Sequence, residues 1–155
     1  MSLALLVVTL ALAVKPTTKT APEPATWTDG PAIGAAADLV KWFEGEGKDA
    51  VVRVPVTIQA TPIGIEKSWI GTTDPLHIRV DDSALGVSLL DRVHQHCPDP
   101  EAVCTLWMDG HWGGAGGGLW PSAQPGDSKG EYLFSVHRVE GRVSEGETAR
   151  IRIRN

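Results

Sequence analysis

Three histidines and an aspartate, His94, His96, His111 and Asp109, fall in one short stretch of this chain and are residue types that bind divalent ions or transfer protons. Gathered around an ion, Asp109, His111 and one of His94 or His96 would make the centre of a small metal-dependent secreted hydrolase. The spacing speaks against that arrangement. His94 and His96 are two apart, about 200 degrees around a helix axis, so one ion cannot take both while the helix is intact. They read instead as solvated residues at a helix C-terminus, where a protonated imidazole is favourable. His77 and His137 each stand alone on a strand and read as surface residues. No serine occupies a Gly-x-Ser-x-Gly elbow, and the one glycine-rich run lacks the Lys-Ser/Thr ending that would hold a phosphate. Asp81 and Asp82 are adjacent and point apart in an extended chain, which suits helix capping better than paired acid–base work. The sequence therefore assigns no catalytic residue, no metal ligand set and no cofactor.

Two other residue types carry more information. Cys97 and Cys104 are the only cysteines, one at the end of an expected helix and the other near the start of an expected strand. A disulfide is the expected pairing, because a metal site would need two further ligands and a redox pair is more often Cys-x-x-Cys. Trp112 and Trp120 flank five glycines between Gly113 and Gly118. Two flat stacking surfaces on a flexible backbone could clasp a sugar, a peptide or a base; the alternative is that both indoles fold back as lids over a barrel end. His111 and Trp69 join them as candidate ligand contacts, although Trp69, like Trp42 and Trp107, equally suits packing.

The elements that would position these residues are legible from periodicity. Thr28-Asp29-Gly30-Pro31 is read as opening a helix with Ile33, Ala36, Ala37, Val40 and Phe43 on one face, ended by Gly45 and Gly47. Val52, Val54, Val56, Ile58 and Ala60 then alternate with polar residues as a long half-buried strand, in which Pro55 requires a local edge or a bulge. Weaker strands follow at Ile65 to Thr72 and Leu76 to Asp81. A helix capped by Ser83 carries Leu85, Leu89 and Val93 at spacing four and stops at Cys97 before Pro98. From Val103 the period returns to two, until Gly110. The segment from His111 to Glu131 is too rich in Gly and Pro for regular structure, and a fifth strand runs from Tyr132 to about Val143 with Phe134 and Val136 inward. Arg150, Arg152 and Arg154 alternate with Ile151 and Ile153 in a final short strand or ordered tail.

The ends and the composition place this domain. Residues 1–14 are uncharged and rich in Leu, Val and Ala, with Ala11-Leu12-Ala13 as a small-residue cleavage pattern, which reads as a secretory signal too short to span a bilayer. Residues 15–27 read as a tether and 28–155 as a single domain, secreted or periplasmic, with no membrane span once the signal is removed. With 17 Gly, 11 Pro and 21% charged residues, the composition suits a strand-rich, loop-rich domain. A net charge of −5 disfavours general nucleic-acid binding, although residues 132–155 carry five Arg against three Glu.

The order strand, strand, strand, helix, strand, long loop, strand, from about Ala50 to Val143, resembles the OB-fold. The resemblance implies a mainly β, five-stranded Greek-key barrel, here with an additional N-terminal helix. It also implies ligands on the face of the second and third strands and on the loops after the first and fourth. The Arg/Asp/Glu and Ca²⁺ constellation of an OB-fold nuclease cannot be assembled from these residues. The segments LDRVHQHCP and CTLWMDGHWG resemble stretches of small secreted bacterial proteins of uncharacterised family, which implies no activity. The expected function is a binding or protein-interaction module with a protein or envelope glycan as partner, and the structural alternative is an envelope protein with no ligand.

Overall fold

A run of valines closes this molecule on itself. The computed structural model describes residues 24–99, 103–115, 132–147 and 150–155. Its elements are β1 (Trp27–Ala32), α1 (Ala36–Glu44), β2 (Val52–Thr61), β3 (Gly64–Ile70), β4 (Leu76–Asp81), α2 (Leu89–His96), β5 (Val103–Ala115), β6 (Tyr132–Arg142) and β7 (Arg150–Arg154). The strands follow the order β1-β7-β2-β3-β4-β6-β5, and β2 pairs with β5 as well, so β2, β3, β4, β6 and β5 form a closed five-stranded barrel. The β4–β6 pair is parallel and its neighbours are antiparallel. With α2 between the third and fourth barrel strands, this is an OB-like barrel with one additional helix before it.

The inward parity of β2 is realised, although Pro55 on the other face is buried as well: Val52, Val54, Val56 and Ile58 are completely buried and join Leu106 and Met108 from β5 and Phe134 and Val136 from β6 in one core. Pro55 lies where only β5 pairs with β2, because the pairing with β7 ends at Arg53 and that with β3 begins at Thr57. The residue that cannot donate to a ladder thus sits at a local edge.

The two helices cover opposite ends of the barrel. Leu39 and Phe43 of α1 are buried, and Phe43 stacks on Trp112 near the end of β5 with ring centroids 4.5 Å apart. At the other end α2 buries Leu89 and Val93 and is stapled by the Cys97–Cys104 disulfide to the start of β5. Both cysteines are buried and their Cα atoms are 6.5 Å apart, within ordinary disulfide range.

Four local expectations are corrected. Residues Thr28 to Pro31 are extended, not helical, because Trp27–Ala32 pairs with β7; Pro31 falls at the register shift of this edge strand, where a missing N–H is tolerated. The helix begins only at Ala36, whose N–H donates to Asp74 Oδ2 at 3.2 Å, so a side chain from the loop after β3 does the capping. In α2 the cap is Ser88, which accepts from the Asp91 N–H, and Asp82 accepts from the Leu89 N–H; Ser83 is held by Asp81 in the preceding turn. Finally, β5 does not stop at Gly110 but runs on to Ala115, so His111 and Trp112 are strand residues. Trp120 lies outside the described residues. The arginine-rich tail pairs within the chain, with β1 and with β2.

At Gly110, β6 leaves no room for a side chain on β5. A Cβ there would collide with the Ser135 carbonyl oxygen and the Phe134 ring, and the register shifts between Asp109 and Gly110. Gly110→Ala should therefore destabilise the barrel by roughly 1–3 kcal/mol through overpacking, read as a lower urea midpoint at unchanged slope. Replacing both cysteines by serine should cost about 2.5 kcal/mol if the staple acts through loop closure, checked by the same measurement on oxidised protein.

Candidate functional site

The polar residues that β2 and β5 turn away from the core meet on one outer face. Arg53 donates from Nε to Asp109 Oδ1 at 2.6 Å and from Nη2 to Oδ2 at 2.9 Å, and Nη2 also reaches Glu140 at 2.9 Å. Arg138 pairs with the same Glu140 at 2.7 Å. The indole of Trp27 lies 4.4 Å from the Arg53 guanidinium. Strand register explains the gathering, for Asp29, Arg152, Arg53, Asp109 and Arg138 are successive Cα partners across β1, β7, β2, β5 and β6. Paired residues share a face, so the charges form one row. The Asp109 hydrogen bonds hold the Arg53 guanidinium above its ordinary pKa. From this row Arg152 also reaches over Trp107, whose Nε1 donates to Glu147, and Arg152 pairs with Glu147 at 3.7 Å. These contacts fasten the β1–β7 ribbon to the barrel wall.

One residue pair further along, His111 and His137 are joined. His111 Nδ1 and His137 Nε2 are 2.7 Å apart, with ring planes at 73°. The next row carries Asp81, Ser135 and His111 as successive partners across β4, β6 and β5, and Ser135 is buried between the other two. Burial pushes the His137 imidazole below its ordinary pKa, with the His111 and Arg154 charges acting the same way and Asp109 opposing them. The Ser83 hydroxyl and N–H hold the Asp81 carboxyl below its usual range, assisted by Arg79 and His111.

A second feature lies on the β3–β4 wall. These two strands pair only at Trp69↔His77 and Ile70↔Leu76. Beyond that, Ser68 Oγ donates to the Ile78 carbonyl at 2.6 Å, a side-chain contact where a backbone rung would stand. Val80, two residues on, turns its backbone groups the same way as Ile78. The strands diverge around a cleft of about 370 Å³ lined by Ile65, Glu66, Lys67, Ser68, His77 and Arg79 among others. Trp69 is half-buried beside it, 6.5 Å from the His77 ring.

Of the residues singled out from sequence, His111 and Trp69 lie at these two features. Trp112 is buried at 6% exposure, stacked between Phe43 and Tyr132, and its outer edge lines a shallow cleft with Glu44, Lys48 and Asp49. His94 and His96 close α2, and His96 approaches Gly141, four residues along β6 from His137, or ~13 Å. They are not brought to His111. Asp109 is committed to Arg53. Sequence reasoning missed His137 and Arg53 as site residues. His137 has the outward parity opposite Phe134 and Val136, but nothing in the sequence states that β6 lies beside β5.

No family model, no curated protein and no solved structure matches this chain. Among the described residues no helix is long and apolar enough to cross a membrane.

Because His137 is held below its ordinary value near 6.5, the unfolded chain binds more protons than the folded one as pH drops through that value. In chelator-treated protein, stability should fall as pH drops through about 6.5, and His137→Gln should flatten that part of the profile. Chemical denaturation at several pH values checks it.

Proposed function

We propose that this protein is an interaction module of an extracytoplasmic compartment, secreted or periplasmic, which takes an extended segment of a partner protein along the opening between β3 and β4. The observation that carries the reading is the early end of the β3–β4 pairing, with Ser68 Oγ on the Ile78 carbonyl where a backbone rung is expected. An extended peptide meets such a wall by main-chain hydrogen bonding, and alternate side chains then fall into the cleft. Lys67 and Arg79 against Glu66 leave its rim with one net positive charge, so the preferred segment carries acidic side chains. Trp69 at the border offers an aromatic surface for one apolar side chain. The buried Cys97–Cys104 bridge supports the oxidising compartment.

Selection from a displayed library of random linear peptides tests this. Acidic peptides should emerge, their binding should slow amide exchange at Ser68 and Val80, and Lys67→Glu should weaken them about fivefold. Peptides that protect amides elsewhere, or a library that yields no binder, would overturn the assignment.

A further inference from the structure

The hydrogen-bonded nitrogens of His111 and His137 stand at the separation of a ligand pair. Two nitrogens at adjacent corners of a tetragonal Cu²⁺ site, each about 2.0 Å from the ion, stand about 2.8 Å apart, whereas tetrahedral Zn²⁺ separates them by about 3.3 Å. His111 Nδ1 and His137 Nε2 are 2.7 Å apart. We propose that His111 and His137 form a binding site for a divalent transition-metal ion, Cu²⁺ in preference to Zn²⁺, on the outer face of β5 and β6.

The surroundings favour a cation held by imidazole. Both rings are half-buried and rise from adjacent strands, so neither has to be drawn out of solvent. Asp81 lies two strands across in the same row as His111, and Asp109 precedes His111 on the same face. Arg154 opposes them in part. Among the described residues no third His, Cys, Asp or Glu joins the pair in a ligand group, so water completes the coordination. Binding replaces a hydrogen bond. The ring that donates in the free protein moves its proton to its other nitrogen through solvent, and both facing nitrogens then present lone pairs, with no net proton released from the neutral pair.

This reading is independent of peptide binding at the β3–β4 opening. The test is titration of the full chain with CuCl₂ in a buffer that does not chelate, followed by calorimetry and electron paramagnetic resonance. The wild type should bind one Cu²⁺ with two imidazole nitrogens in its hyperfine pattern, more tightly than Zn²⁺. His111→Gln and His137→Gln should each weaken binding by about tenfold or more, whereas the joint replacement of His94 and His96 by Gln should leave it unchanged. Should either single variant fail to fold, paramagnetic broadening in the wild type decides the matter, since it should centre on His111 and His137. Absence of stoichiometric binding, broadening centred on His94 and His96, or retention of the ion in both single variants would overturn the proposal.

Discussion

Everything in this fold depends on β2 pairing with β5 over eight consecutive residue pairs, Val52↔Gly110 through Gln59↔Val103. That contact turns an open sheet into a barrel, and it does so because both strands are two-faced. Inward, Val52, Val54, Val56 and Ile58 meet Leu106 and Met108 with essentially no exposure. Outward, Arg53 meets Asp109, Pro55 meets Trp107, and the Thr57 and Thr105 hydroxyls bond at 2.9 Å. A slip of one residue would bury the Arg53 row and expose the valines, so the hydrophobic pattern and the bidentate ion pair select the same register. The half-buried Arg53–Asp109 pair is then more valuable for specificity than for net stability, since desolvation cancels much of its Coulomb attraction.

Closure demands curvature, and the cost falls on β5 and β6. Their register shifts three times, between Trp107 and Met108, Asp109 and Gly110, and Trp112 and Gly114. Gly110 permits the close approach at the middle shift, and Gly114, at φ 80°, supplies the left-handed residue at the last. The shift at Asp109–Gly110 also sets the diagonal between His111 and His137, because it changes the offset of the two strands just before the histidines. The paired imidazoles are thus a product of the same irregularity that bends the wall.

How much of this was legible in the sequence follows from which forces are local. The β2 alternation, the period of β5, the inward Phe134 and Val136, and the disulfide were readable because side-chain parity and chain proximity decide them. The order of barrel elements followed from those. Where a distant segment outweighs a local signal, the reading failed. Thr28 to Pro31 resembles a helix start, yet β7 offers a ladder that the isolated segment cannot reveal. Ser83 is a credible cap by residue type, yet Asp81 draws it into a turn and Asp82 favours a start at Leu89, which leaves the cap to Ser88. Gly110 signals a strand end by composition, but in the barrel it sits inside β5 where Ser135 and Phe134 leave no room for a Cβ. The candidate site was the least legible, because His137, Arg53 and the β3–β4 divergence acquire meaning only through pairing between strands distant in sequence.

The two outward features differ in how tightly the fold specifies them, and that difference bears on what each can do. The His111–His137 contact sits at the register shift between Asp109 and Gly110, where His137 is the unpaired residue, and is flanked by an ion-pair row that braces the neighbouring ribbon. Both imidazoles are already held side by side, so the proposed ion would meet its ligands without ordering the chain. The β3–β4 opening is the reverse, since only two residue pairs and the Ser68 hydroxyl hold that part of the wall. A segment bound there would complete a ladder that the barrel leaves short, and the energy of binding would come from backbone pairing more than from fixed side-chain complementarity. One barrel therefore carries a well-braced polar face and a splayed wall, and pairing of β2 with β5 permits both, because the sheet stays continuous from β3 through β2, β5 and β6 to β4 even where the β3–β4 ladder is short.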